Sequence, residues 1–244
     1  MSSFGPVAPF YDQLMASVPY SMWVSYYQLL LAHQDIYPKR LLDVACGTGI
    51  LAELLHAEAY DVTGFDLSAP MIERARQKAT EKGLPIRYEV ADAATFDLGE
   101  TFDAAYSFFD SLNYITDPDD LQACFHRVAK HLPIGGSWIF DLNTRYAFEQ
   151  EMFDQSNLKP NAPVRYDWHG EWDPHRLIIR VNMKFWVEGQ EYTETHVQRA
   201  HPHEEVIEML EDAGFDRIRA FHSYTLNPPR RTSDRLHYMA VRTR

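Results

Sequence analysis

Three acids and two glycines in the first hundred residues carry most of the chemical promise of this chain. "LLDVACGTG" (41–49) sets Gly47 and Gly49 just past an apolar run, with Asp43 inside it. Glycine at such a place lets the backbone turn sharply and brings main-chain N–H groups close to a ligand. Asp66 closes the next apolar run, about 20 residues on, where a carboxylate can accept hydrogen bonds from both hydroxyls of a ribose. Asp92 closes the third run. Ligands of open parallel sheets bind outside the carboxyl ends of the strands, so the three acids should face one crevice. Each alone is open to a plainer reading, since an Asp at a strand end also serves as a turn or cap residue. Gly47-x-Gly49-x-x-Ala52 likewise fits a dinucleotide fingerprint. Together, however, the carboxylates would repel a pyrophosphate and suit a ligand with a ribose, an adenine and positive charge.

A second group of polar residues follows. "FFDSLNYI" (108–115) leaves a fourth apolar run toward the same crevice with Asp110, Ser111, Asn113 and Tyr114. Asp110 is suited to take a proton or hold an amine; the alternative is that Asp110 and Ser111 cap the turn. "ETHVQRAHPH" (194–203) packs three histidines into ten residues. A metal site needs convergent ligands, usually with Cys or carboxylate help. Neither Cys46 nor Cys124 is near in sequence, so no metal is expected. His201 and His203 flank Pro202 at a strand–helix boundary and read as surface residues. His196 lies mid-strand. Strict alternation puts it on one face with Glu194 and Gln198, and puts Thr195, Val197 and Arg199 on the other. A histidine there either takes a proton near neutral pH or merely stabilises the sheet. Arg199, and Arg235 from the basic run 230–244, are candidate substrate contacts; a solvated tail is the plainer reading of that run.

The elements that must position these residues alternate regularly. Strands are expected over 40–46, 61–67, 86–92, 102–109 and 135–143. Helices are expected over 49–59, 69–82 and 117–132, with Ser68 and Asp117 as N-caps, Pro118 at a first helical position and Gly83 as a stop. Strand–helix alternation at this spacing means βαβ units and a parallel sheet covered on both faces. Residues 8–34 are aromatic-rich and helical in pattern, broken at Pro19. After 144 the pattern changes: a helix over 144–153, then extended segments 164–173, 176–187 and 190–200. In the middle one Leu177, Ile179, Val181, Met183, Phe185 and Val187 share a face, as in an antiparallel sheet with one wetter side. A helix over 203–213 and strands 215–224 and 235–242 then complete the α/β series. The expectation is one α/β domain over 1–244: a Rossmann-like, seven-stranded, mostly parallel sheet. Its parts are an N-terminal helical lid (1–36), a cofactor-binding core (37–144), an inserted antiparallel substrate lid (145–202) and a C-terminal completion (203–244).

These motifs, in this order, resemble those of class I S-adenosylmethionine-dependent methyltransferases. "DVACGTG", "VTGFDLSAPMIERA", "ADA" and "LPIGGSWIFDLN" carry the likeness. "FYDQLMASVPYSMW", "FFDSLNYI" and "ETHVQR…LEDAGF" resemble a group of bacterial members of unassigned substrate. The resemblance implies that Asp43 and the turn through Ala45, Cys46, Gly47 and Gly49 hold the methionine end of S-adenosylmethionine. It implies that Asp66 binds the ribose, that Leu67 and Met71 sandwich the adenine, and that Asp92 meets the adenine amino group beside Ala93. Phe109 would lie near the sulfonium, and Tyr11 and Trp23 would close over the cofactor. S-adenosylhomocysteine would be the product.

Composition narrows the partners. A formal charge of −12 is a poor match for nucleic acid phosphates. No stretch approaches the ~18 apolar residues of a membrane span. Two cysteines fit a reducing compartment, so a cytoplasmic enzyme is expected. The leading reading is methyl transfer to O or N of a small molecule, with His196 and Asp110 as candidate catalytic residues and Asn113, Tyr114, Arg199 and Arg235 as candidate substrate contacts. The alternatives are an NAD(P)-dependent oxidoreductase and a non-catalytic cofactor-binding scaffold. Oligomeric state is left open.

Overall fold

The computed structural model describes residues 4–244. A 3-10 turn (Ala8–Phe10) leads into the short helix α1 (Tyr11–Leu14) and the longer α2 (Tyr20–His33), separated at Pro19. The core follows as β1 (Arg40–Val44), α3 (Ile50–Ala57), β2 (Asp61–Asp66), α4 (Ala69–Lys82), β3 (Arg87–Val90), β4 (Ala104–Ser107), α5 (Pro118–Lys130) and β5 (Ser137–Asn143). Next come α6 (Arg145–Glu149) and a second set of strands: β6 (Gln155–Asn157), β7 (Arg165–Asp173), β8 (Ile178–Val187) and β9 (Gln190–Arg199). The chain ends with α7 (His203–Asp212), β10 (Phe215–His222) and β11 (Arg235–Arg242).

Seven strands form one sheet in the order β10-β11-β5-β4-β1-β2-β3. All pairings from β5 to β3 are parallel; β11 runs antiparallel to both β5 and β10. Helices cover both faces because the strands are apolar on both. Trp138, Phe140 and Leu142 pack with Leu121, Phe125 and Leu210 of α5 and α7. Ile139, between them in sequence, points the other way and packs with Tyr27, Leu30, Leu55 and Ile72 of α2, α3 and α4. The chain winds from β1 out to β3, then returns to β4 on the far side of β1. The carboxyl ends of β1 and β4 therefore diverge at a switch point, where such sheets hold their ligands.

The second sheet, β6-β7-β8-β9, is antiparallel throughout. Ile179, Val181, Met183 and Phe185 lie on its buried face as alternation predicts, packed with Val7, Phe10 and Phe148. One expectation fails locally. The helix expected over 144–153 stops at Glu149, and Glu151 takes a left-handed conformation (φ 54°) that α-helix cannot continue. Residues 155–157 instead add an edge strand to the second sheet. Among the described residues no helix is long and apolar enough to cross a membrane.

Candidate active site

The ends of β1, β2 and β4 open into one cavity of about 830 Å³. Its floor begins at the turn after β1. Ala45, Gly47 and Gly49 have φ of 60°, 55° and 78°, a run of left-handed residues that reverses the chain into α3. Gly49 has no substitute: a Cβ there would stand 2.3 Å from the hydroxyl of Tyr88. At Gly47 the space is open and only the backbone conformation asks for glycine. Asp66 locks the turn. One carboxylate oxygen accepts the N–H of Gly47 at 2.9 Å and the other that of Ser68 at 2.8 Å. Each oxygen keeps a lone pair for a further donor. Burial lifts Asp66 above the usual carboxylate range, with these two hydrogen bonds pulling the other way.

Three features of this floor fit S-adenosylmethionine. Asp43 is 3% exposed and its Oδ2 has no hydrogen-bond partner. Burial, with a smaller push from Asp66, raises its carboxyl to about 8. A buried carboxylate without a cation is costly, and the ammonium and sulfonium of the cofactor would relieve that cost. Leu67, at the end of β2, is 62% exposed, while Met71 beside it is buried. Together they make an open apolar slot at the edge of the cavity, as a purine needs. Asp92 and Ala93 border the same rim, and Asp92 Oδ1 accepts the N–H of Ala94 at 2.8 Å.

The other wall is held under strain. Phe109 and Asp110 are consecutive left-handed residues (φ 69° and 51°) at the end of β4. Asp141 on β5, fully buried, fixes them by accepting both their N–H groups, at 3.1 and 2.7 Å. Arg235 Nη1 pairs with Asp141 at 2.6 Å and Nη2 with Asp110 at 2.8 Å. Gln198 Nε2 donates to the second oxygen of Asp110 at 2.7 Å. Burial raises Asp110, chiefly against the pull of Arg235. Both its oxygens are thus engaged, which fixes Asp110 as a wall group of the cavity.

The roof comes from the second sheet and the N-terminal segment. Phe4, Tyr11, Trp168 and Phe185, with Met183, give it a mostly aromatic lining. Tyr114 and His196 meet there, with His196 Nδ1 2.8 Å from the Tyr114 hydroxyl and Nε2 2.7 Å from Glu194. The N-terminal segment is tied down twice. Glu194 accepts the N–H groups of Phe4 and Val7, and Asp12 binds Thr48 Oγ1 at 2.6 Å and the buried Lys78 Nζ at 2.7 Å.

Of the candidates read from sequence, Tyr11, Asp43, Ala45, Cys46, Gly47, Asp66, Leu67, Met71, Asp92, Ala93, Phe109, Asp110, Tyr114, His196 and Arg235 line the cavity. Four candidates do not. Gly49 shapes the turn from behind. Trp23 stacks on Tyr224 and backs Phe109 at 5.0 Å between ring centres. Asn113 is fully buried and spends its amide on the backbone of Asn143 and Arg199, stitching the 3-10 turn Ser111–Tyr114 to β5 and β9. Arg199 lies on the opposite face of β9 from His196 and donates to the carbonyl of Arg176. The reading of His201 as a surface residue is also overturned, while His203 is half-buried and opens the polar first turn of α7. His201 is 6% exposed, donates to the carbonyl of Ile115 and is pushed down to about 4, mainly by burial. His203 bonds the Tyr238 hydroxyl at 3.0 Å. Among the described residues no group of three or more His, Cys, Asp or Glu could hold a metal ion. Sequence reading missed Asp141, Asp12 and Lys78, which act only through contacts between distant segments.

Comparison with known proteins agrees with this geometry. Residues 41–136, from β1 to the turn before β5, match the methyltransferase domain family. YqeM of Bacillus subtilis, which carries a methyltransferase name, is 31% identical over 243 residues, 97% of this chain and 96% of its own. The ubiquinone biosynthesis O-methyltransferase of Photorhabdus laumondii is 32% identical over 68% of this chain and 67% of its own. The crystal structure of an S-adenosylmethionine-dependent methyltransferase from Clostridium acetobutylicum superposes over the full length of both chains, with a TM-score of 0.86 and 26% identity. The glycine turn, the acids that close β1 and β2 and the seven-stranded sheet thus belong to an enzyme that uses S-adenosylmethionine, and the chain is a member of the class I S-adenosylmethionine-dependent methyltransferase family.

Proposed function

We propose that this enzyme methylates an oxygen or nitrogen of a small molecule held beneath the second sheet. One observation carries the reading: the cavity does not end at the cofactor floor but continues beneath aromatic side chains of the second sheet and the N-terminal segment. Its volume of about 830 Å³ lies in the range of small-molecule sites. The charge of −12 disfavours a nucleic acid. The similarity to an O-methyltransferase of ubiquinone biosynthesis supports an oxygen acceptor, and that to N,N-dimethyltransferases of amino sugars a nitrogen.

Asp43 and the 45–49 turn would hold the methionine end, Asp66 the ribose, and Leu67, Met71, Asp92 and Ala93 the adenine. The cofactor supplies a methyl already activated on sulfonium, so no covalent enzyme intermediate is needed. The protein's tasks are to hold the acceptor in line with that methyl, keep water out and accept a proton. Phe4, Tyr11, Trp168 and Phe185 would exclude water and give an aromatic or apolar acceptor its seat. The test has two stages. S-adenosylhomocysteine should raise the melting temperature where NADH does not. Methyl-labelled cofactor should then transfer its label to a component of a fractionated small-molecule extract. Binding without transfer to any fraction would instead favour the non-catalytic scaffold.

A further inference from the structure

Under the roof, three side chains from two distant segments form a continuous hydrogen-bonded chain: Glu194, His196 and Tyr114. Glu194 is 5% exposed at the side chain and His196 2%. A carboxylate only accepts hydrogen bonds, so the 2.7 Å contact makes His196 Nε2 the protonated nitrogen. In the neutral ring Nδ1 then carries the lone pair, and at 2.8 Å its donor is the Tyr114 hydroxyl. Both ring nitrogens are occupied, so neither is free to take a proton from an acceptor directly. Tyr114 is: it lines the cavity, and its oxygen keeps lone pairs once its proton points at His196. Burial holds the Tyr114 phenol well above its ordinary range, which keeps the proton on it at rest. Beside it Gln198 gives its amide N–H to Asp110 and leaves Oε1 buried without a partner. This end of the cavity thus presents the Tyr114 oxygen beside the unpartnered Gln198 Oε1, which suits a ligand that brings an O–H or N–H.

We propose that Tyr114 takes the acceptor's proton, with His196 and Glu194 as the positioning residues that make it basic enough, and that the acceptor is an un-ionised hydroxyl or amine. This rests on the methyltransferase reading above. In the step, a lone pair of the acceptor forms the bond to the methyl carbon, and the carbon–sulfur bond breaks with its electron pair left on sulfur. The acceptor's proton moves to Tyr114 Oη as Tyr114's own proton moves to His196 Nδ1. The imidazolium so formed keeps its Nε2–H on Glu194, and the positive charge that began on sulfur ends on His196. The relay is complete only when the N-terminal segment is docked, because Glu194 also holds the N–H groups of Phe4 and Val7. The Phe4 ring seals His196 at 4.4 Å between centres. The other ionisable groups whose fields reach Tyr114 are Tyr11, Asp110 and Asp66.

Two measurements test this. Nitrogen-15 NMR of labelled histidine needs no acceptor: the expected result is a neutral His196 with the proton on Nε2. A proton on Nδ1 instead would make Tyr114 the acceptor in that pair and overturn the relay. The second measurement uses tritiated S-adenosylmethionine with a panel of phenols, benzyl alcohols and benzylamines. Tyr114→Phe and His196→Gln are expected to lower kcat about 100-fold, with S-adenosylhomocysteine affinity unchanged within about twofold. The rise of wild-type kcat with pH should flatten in His196→Gln. The loss should shrink for phenols already ionised in solution. Equal losses for ionised and un-ionised acceptors would reduce Tyr114 to a structural part and refute the proposal. If no compound in the panel is methylated, the NMR result decides alone. Failure to bind S-adenosylhomocysteine would sink the underlying reading instead.

Discussion

Asp66 illustrates how one side chain can hold a turn and keep lone pairs for a ligand. Its two backbone hydrogen bonds fix the glycine turn, and its remaining lone pairs face the cavity. Asp66→Ala should weaken S-adenosylhomocysteine binding ~10- to 100-fold by calorimetry, the share of hydrogen bonds to a charged group worth about 1.5–3 kcal/mol. Affinity equal to wild type would remove Asp66 from the ribose site. Asp43 makes a prediction in pH. Its carboxyl titrates near 8 in the folded enzyme and near 3.8 when unfolded. Between those values the folded state holds a proton that the unfolded chain lacks, so the cofactor-free enzyme loses stability as pH rises through that window. A cationic ligand favours the ionised form. Binding below pH 8 therefore expels a proton, and affinity climbs with pH up to about 8 and then levels. Calorimetry at pH 7 in buffers of different ionisation heat should show this release. Asp43→Asn, which keeps the ligand's own titration, should lack it, bind more weakly and melt higher than wild type at pH 8 without cofactor.

At the scale of elements, the turn after β4 depends on the strand beside it. Two consecutive left-handed residues without glycine are costly, and Asp141 of β5 offsets that cost by binding both amides and Arg235. Asp141→Ala would release the turn and leave Arg235 with Asp110 alone. The expected loss is about 3–5 kcal/mol in urea unfolding, a large part of the stability of a typical domain. A loss under 1 kcal/mol would mean that the turn is held by its own sequence. Strand β9 shows the converse case. Its alternation alone put Glu194, His196 and Gln198 on one face; His196 and Gln198 are buried there, and the Glu194 side chain is 5% exposed. What alternation could not say is that Tyr114, about eighty residues earlier, would reach the same histidine.

At the scale of the molecule, the site is assembled from both ends of the chain and both sheets. The N-terminal segment supplies Phe4 and Tyr11 to the roof, and Asp12 anchors it on Thr48 and Lys78. Lys78 keeps Glu53 as a second partner at 3.4 Å, so losing Asp12 leaves no orphaned charge. Asp12→Asn should therefore cost little global stability yet loosen residues 4–18. The expected readout is faster hydrogen exchange in that segment and a several-fold rise in the KM for S-adenosylmethionine, with S-adenosylhomocysteine restoring protection. Unchanged exchange would assign the anchoring to Glu194 alone.

The order of strands and helices from 40 to 143, the glycine turn and the acids closing β1 and β2 were all legible in the sequence. They depend on local patterns: a period of two or 3.6 in the apolar residues, a cap, a glycine where φ is positive. Sequence also marked His196 and Tyr114 as residues worth watching. The pairing of distant segments was decided only in three dimensions. Tertiary packing buried Asn113, His201 and Trp23 behind the site, turned Arg199 away from it and tied Asp110 to Arg235. It gave Asp12 and Asp141 tasks that no local pattern could announce. The physical reason is one of range: backbone propensity and hydrophobic periodicity act over a few residues, whereas the desolvation and hydrogen bonding of a buried polar group depend on whatever the fold brings against it.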